Sequence, residues 1–256
     1  MTRRLYLSDL HLEDTDDRYA AFDGLLQRTA AEVDEIYLLG DICEIWIGDD
    51  DDTPLVDALA ASCVQAARHA ALFFMPGNRD FLLGERFAER AHLTRLPDPF
   101  RLDDATLLSH GDGLCTDDHA YQQLRAVMRA PEWQAEMLTK PLAERRAFGQ
   151  ALRERSRTEN ANKAANIMDV NPQATHSLMA EQQATLLIHG HTHRPGMHSL
   201  APDPSSPMPQ VPATRIVLGA WERCGWWLIQ DTAQTAGDNR TLGCELHSQA
   251  LAVLAG

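Results

Sequence analysis

The run Glu35-Ile36-Tyr37-Leu38-Leu39-Gly40-Asp41 decides how the rest of the chain is read. Ile36 to Leu39 form a short β-favouring apolar run and Gly40 breaks it, so Asp41 is expected where a buried strand passes into a loop. In α/β sheets binding groups collect at that edge. The same form recurs at Leu5-Tyr6-Leu7-Ser8-Asp9-Leu10-His11, Leu72-Phe73-Phe74-Met75-Pro76-Gly77-Asn78 and Leu107-Leu108-Ser109-His110-Gly111-Asp112. A fifth run, Leu186-Leu187-Ile188-His189-Gly190-His191-Thr192-His193, ends in three histidines. Gly-Asp and Gly-Asn are ordinary turn dipeptides when they stand alone. Five such ends in order supply seven oxygen and nitrogen donors, about what two metals need if one carboxylate is shared.

The segments SDLHL, LLGD, PGNRD, LSHGD and HGHTH together resemble the calcineurin-like metallophosphoesterase superfamily across nearly the whole chain. The resemblance implies an α/β fold, a four-layer αββα sandwich with the site at one edge of two sheets. It also implies a ligand set. One metal would take Asp9, His11, Asp41 and His193, and the other Asp41, Asn78, His110 and His191. A pair of ions bridged by Asp41 would activate water for in-line attack on phosphorus. His189 is left out because it continues the strand alternation and is expected to point into the fold or to support a ligand. Asp80 and Asp112 are expected to orient an imidazole or an asparagine amide.

Composition narrows the class. With 256 residues, 44% of them apolar, and no apolar run long enough to span a bilayer, a globular chain is expected. Met1-Thr2-Arg3-Arg4 leads straight into a predicted strand without an apolar signal stretch, which places the chain in the cytoplasm. The 5 cysteines include no Cys-x-x-Cys pair, so neither a zinc clip nor a disulfide framework is expected. A formal charge of −14 argues against a nucleic-acid binder. Residues 121–157 run the other way, with eight Lys/Arg against four Glu, and suggest an anionic partner there.

Residues 1–256 read as one domain with a helical insertion, a candidate lid, at about 119–165, interrupted at Pro131 and Pro141. Helices are expected at 19–32, 55–69, 84–91 and 174–183. Asp49 to Asp52 read as a solvated helix start before Pro54. Strands at 94–96, 100–102 and 105–109, joined later by 215–218, 226–230 and 242–248, are expected to build the second sheet, and 199–213 an exposed loop.

Position 79 separates subclasses. Many members of the superfamily carry His after the Asn, able to protonate an alkoxide leaving group; Arg79 stays charged and suits a phosphate leaving group instead. The stretches GNRDFLLG, HGDGLCTDD, SRTENANKAANIMDVNP and HGHTHRP resemble the UDP-2,3-diacylglucosamine hydrolase family of lipid A biosynthesis. That resemblance implies two Mn2+ per chain, attack on the α-phosphate of UDP-2,3-diacylglucosamine, and release of UMP and 2,3-diacylglucosamine 1-phosphate. It assigns the catalytic roles to Asp41, Arg79 and His191, and substrate contacts to Asn78, Arg79, Asp118, Ser156, Asn160, Lys163 and His191. Ser156, Asn160 and Lys163 fall on one helical face, although as residues alone they read as solvent-facing, and Asp118 as a helix cap. Leu124, Val127, Met128, Trp133, Met137, Leu138 and Phe148 would divide between lid core and acyl groove. The implied partners are the lipid substrate and the cytoplasmic face of the inner membrane, held peripherally through the Arg-rich face, with a monomeric chain and no nucleic acid. The competing readings are a dinuclear phosphoesterase of the same fold acting on soluble nucleotides, and a scaffold that has lost catalysis, which the filled ligand positions disfavour.

Overall fold

Strand alternation sorts the apolar residues of the first three strands onto two faces. In β1 (Arg3–Leu7), β2 (Glu35–Leu38) and β3 (Ala71–Phe74), Leu5, Leu7, Ile36, Leu38, Leu72 and Phe74 join one core, while Tyr6 and Tyr37 join another. The three strands pair in parallel, with Leu7 opposite Leu38 and Leu38 opposite Phe74, so their carboxyl ends are level. The computed structural model describes residues 2–14, 17–162, 169–201, 213–233 and 243–255, without the side chains of 157 and 159–162.

Helices α1 (Arg18–Thr29), α2 (Pro54–Ala66) and α3 (Glu85–Arg90) cover the first face, and β4 (Leu93–Arg95) closes that edge of the sheet. β5 (Phe100–Arg101) and β6 (Thr106–Leu108) begin a second sheet, followed by α4 (His119–Met128), α5 (Pro131–Thr139), α6 (Leu142–Asn162) and α7 (Pro172–Glu181). Then come β7 (Leu186–His189), β8 (Gly196–Leu200), β9 (Ala213–Val217), β10 (Cys224–Asp231), β11 (Cys244–Ala250) and α8 (Leu251–Leu254). The sheet orders are β11-β10-β1-β2-β3-β4 and β5-β6-β7-β9-β8. Tyr6, Tyr37 and Met75 from one sheet meet Leu108, Leu186, Ile188 and Ile216 from the other in the middle core. Leu107 and Leu187 turn outward onto Met179 of α7. Helix, sheet, sheet and helix make four layers, the expected αββα fold.

Two expectations about sheet membership fail. Residues 93–95 pair in parallel with β3, and β10 and β11 return to the first sheet, β10 running antiparallel to β1. Alternation shows that a segment is a strand with a buried face, but not which strand lies beside it. β8 was unmarked because it is an edge strand with no fully buried residue. Most of the expected loop 199–213 lies outside the described residues.

Three of the four aspartates before α2 take partners within the protein, and Asp52 is exposed. Asp49 accepts hydrogen bonds from Trp46 Nε1 at 3.1 Å and from the backbone of Gly84 and Phe87 at 2.8 and 2.9 Å, which anchors the start of α3. Asp50 and Asp51 pair with Arg145 and Arg146 of α6. Thr53 caps α2, its side chain accepting from Val56 N at 3.3 Å. Arg125 and Arg129 pair with Asp112, and Arg153 with Glu13 and Glu44. Much of the positive charge of 121–157 is therefore directed at carboxylates of the protein itself, and ties α4 and α6 to the loops at the sheet ends.

Ile188 is fully buried between the sheets. Ile188→Ala should cost about 2–5 kcal/mol of unfolding free energy, measured by urea denaturation; a negligible loss would show that the sheets do not depend on this contact.

Candidate metal centre

The level ends of β1, β2 and β3 set down Asp9, Asp41 and Asn78 side by side, and the parallel pair β6 and β7 brings His110 and the 191–193 loop against them. Backbone hydrogen bonds lace the loops together: Asp9 N to Gly40 O at 3.0 Å, His11 N to Asp41 O at 3.0 Å and Gly190 N to His110 O at 2.9 Å. The two sheets are joined here by His191 N donating to Asp9 Oδ2 at 2.9 Å. Close approach requires glycine at two points. A Cβ on Gly77 would stand 2.2 Å from Asp41 Oδ1, and one on Gly190 2.2 Å from Asp9 Oδ2.

All seven donors named from the sequence converge, in two groups. His11 Nε2 and His193 Nε2 are 3.2 Å apart, and Asp9 Oδ1 lies 3.4 Å from the latter. Asn78 Oδ1 lies 3.0 Å from His110 Nε2 and 2.8 Å from His191 Nδ1, with Asp41 Oδ1 3.7 Å from His110 Nε2. Two carboxylates, one amide oxygen and four imidazoles, with no thiolate, suit borderline to hard divalent ions. Neighbouring imidazole nitrogens aimed at one point are what a cation between them would organise, so the residues present fit such a group.

The backbone adds a feature that the sequence did not disclose. Asp9, His11, Asp41, His191 and His193 have φ of 56°, 49°, 55°, 65° and 55°, the left-handed region that side chains other than glycine avoid. Each costs about 1–2 kcal/mol, which the surrounding hydrogen bonds must offset.

Electrostatics follow from packing charge into a closed space. Burial alone would raise the Asp9 carboxyl, but His193, His110 and His11 outweigh it and hold it well below the usual range. Burial lowers His191 to about 4, with the His110 charge adding to the effect, so its imidazole is a neutral donor. His110 goes the other way, to about 9, because Asp41, Asp9 and Asp112 overcome its burial.

The supporting residues divide as follows. Asp80 takes Ile42 N and Gly77 N on its two oxygens, both at 2.7 Å, and so ties the Asp41 loop to the Asn78 loop rather than touching an imidazole. Asp112 hydrogen-bonds α4, and it is Leu39 O, 2.8 Å away, that orients His110 Nδ1. His189 is buried, its Nδ1 on Gly190 O at 2.8 Å, and takes no part. Glu44, missed from sequence, has Oε2 3.0 Å from His11 Nδ1. Nothing in its local pattern distinguishes it from other loop glutamates.

Beside the donors opens a cavity of about 440 Å³. Its lining includes polar Arg79, Asp118, Arg155 and Ser156 and apolar Leu124, Met128 and Leu152. Arg79 Nη2 donates to Ser156 Oγ at 3.4 Å, while its buried Nε has no hydrogen-bond partner among the described residues. Asp118 also caps α4 through Tyr121 N at 3.2 Å. The side chain of Asn160 and the whole of Lys163 lie outside the described residues. Of the proposed groove residues, Met128 and Met137 are buried, whereas Val127 and Leu138 are exposed. Phe148 packs on Trp133 with ring centres 5.6 Å apart.

The calcineurin-like phosphoesterase family matches residues 2–195. The chain belongs to that family. Within it the chain is similar over nearly its full length to proteins named UDP-2,3-diacylglucosamine hydrolase. It is 47% identical to that of Aromatoleum aromaticum over 90% of this chain and 93% of the relative. It is 42% identical to that of Aeromonas salmonicida over 93% of each, and 43% identical to that of Coxiella burnetii over 88% and 92%. With these relatives the phosphoesterase is a hydrolase.

Asp41→Ala in this phosphoesterase should weaken divalent-ion uptake together with turnover, since the group of Asn78, His110 and His191 loses its carboxylate. Calorimetric metal titration of the stripped variant checks this; two ions bound with near-normal turnover would contradict it.

Proposed function

We propose that this phosphoesterase hydrolyses the pyrophosphate bond of UDP-2,3-diacylglucosamine in lipid A biosynthesis, releasing UMP and 2,3-diacylglucosamine 1-phosphate, with two Mn2+ held by Asp9, His11, Asp41, Asn78, His110, His191 and His193. The observation that carries the reading is Arg79. Its guanidinium, whose buried Nε has no hydrogen-bond partner among the described residues, lines the same cavity as the metal-type donors, together with polar Asp118 and Ser156 and apolar Leu124, Met128 and Leu152. That combination fits a nucleotide-linked phosphate carrying a lipid. The names of the relatives supply the substrate.

Bound ions would polarise phosphoryl oxygens and activate the attacking water. The chain's own residues do the rest. Arg79 stabilises charge on the transferring and leaving phosphates and supplies no proton, which a phosphate leaving group does not need. His191, neutral at working pH, can ligate through Nδ1 and contact the phosphate from its other side. Asp118 and Ser156 line the cavity where the sugar phosphate would sit, with Asn160 and Lys163 assigned there by resemblance. Leu124, Met128 and Leu152 face the acyl chains, and the helices α4 to α6 act as the lid.

We also place the enzyme at the cytoplasmic face of the inner membrane as a peripheral monomer. No helix among the described residues is long and apolar enough to cross a membrane. Exposed Val127 and Leu138 on α4 and α5 offer apolar contact to a lipid surface.

Hydrolysis in oxygen-18 water followed by phosphorus NMR tests the reading: label should enter UMP. Label in the sugar phosphate would exclude attack at the α-phosphate, and equal turnover of soluble UDP-sugars would favour a nucleotide phosphoesterase without lipid preference. Arg79→Ala should lose about 2–4 kcal/mol of transition-state stabilisation in kcat/KM, and an unchanged rate would remove Arg79 from the site.

A further inference from the structure

Tyr121, Arg125 and Arg129 recur every four residues along α4 and so lie on one stripe of the helix. All three end on the buried carboxylate of Asp112. Tyr121 donates its hydroxyl to it at 2.6 Å, Arg125 Nε at 2.8 Å and Arg129 Nη2 at 3.5 Å. Arg129 goes further than its two companions. The same Nη2 donates to Gly77 O at 2.9 Å and Pro76 O at 3.2 Å, and the guanidinium carbon stands 5.6 Å from the centre of the Phe81 ring. It therefore grips the loop that carries Asn78 and Arg79 by the two carbonyls directly before Asn78.

We propose that Arg129 is a positioning residue for this loop: it fixes the backbone before Asn78 so that the Asn78 amide oxygen and the Arg79 guanidinium stay where the reaction needs them, and Asp112 holds Arg129 in that place. The inference rests on the roles given to Asn78 and Arg79 above. The inner side of the loop is already set by Asp80 on Gly77 N and Asp41 on Arg79 N, each at 2.7 Å. Arg129 closes the outer side. A planar guanidinium can lie on the Phe81 ring while reaching carbonyls and a carboxylate together, whereas an ammonium is a point donor. The consequence is a link between lid and centre, since α4 also presents Leu124 and Met128 to the cavity.

The test titrates Mn2+ into stripped wild type, Asn78→Ala, Arg129→Ala and Arg129→Lys, following free ion by electron paramagnetic resonance, with melting temperature and steady-state kinetics on UDP-2,3-diacylglucosamine beside it. Arg129→Ala should weaken one of the two ions by about tenfold or more, toward the Asn78→Ala value, and lower kcat comparably with little change in KM. Arg129→Lys should recover part of both. Wild-type ion affinity and kcat in folded Arg129→Ala would overturn the proposal, as would losses accounted for by the unfolded fraction. Should Arg129→Ala not fold, Arg129→Lys decides alone, and wild-type values in it overturn the proposal. A wild type that binds both ions but leaves the lipid untouched would sink the proposed substrate, and the ion titration would still judge Arg129.

Discussion

The site depends on how Asp41 is held. Its backbone is in the left-handed region, its Oδ1 accepts from Arg79 N, and Gly77 leaves it just enough room. The loops on either side are pinned to it, the Asp9 loop through backbone pairs to Gly40 and Asp41, the Asn78 loop through Asp80. A carboxylate fixed in this way costs backbone strain in folding and is already in position when a cation or a phosphate arrives. Flexible carboxylates at the same sequence positions would have to be ordered at each binding event.

Two sheets are needed because one cannot supply the set. β1, β2 and β3 bring the acidic and amide donors and His11, and β6 and β7 bring the other three imidazoles. The middle core of tyrosines and branched aliphatic residues sets the distance between them. The helices α4 and α6 then line the cavity, fastened at Asp112, at Asp50 and Asp51, and at Glu44. Charge that looked from sequence like a lure for anions serves in large part to dock these helices.

The convergence of the seven side chains could be read from sequence because a parallel strand that ends in a polar residue puts it at a predictable edge. Layering was legible for the same reason, since alternation in β1 and β2 assigns each side chain a face. What the sequence withheld was pairing between distant segments. β10 and β11 look like any amphipathic strands, and only their hydrogen bonds place them beside β1. Asp50 and Asp51 were misread because their partners, Arg145 and Arg146, lie 95 residues away. Glu44 and Arg129 act through contacts that no local pattern encodes.

We propose that one carboxylate, Asp41, is shared by two ions. Electron paramagnetic resonance of the protein loaded with two manganese ions tests it most directly, because bridged ions couple their spins and separate ions do not. The account predicts an exchange-coupled spectrum in the wild type. A spectrum of magnetically isolated ions at full occupancy would contradict it.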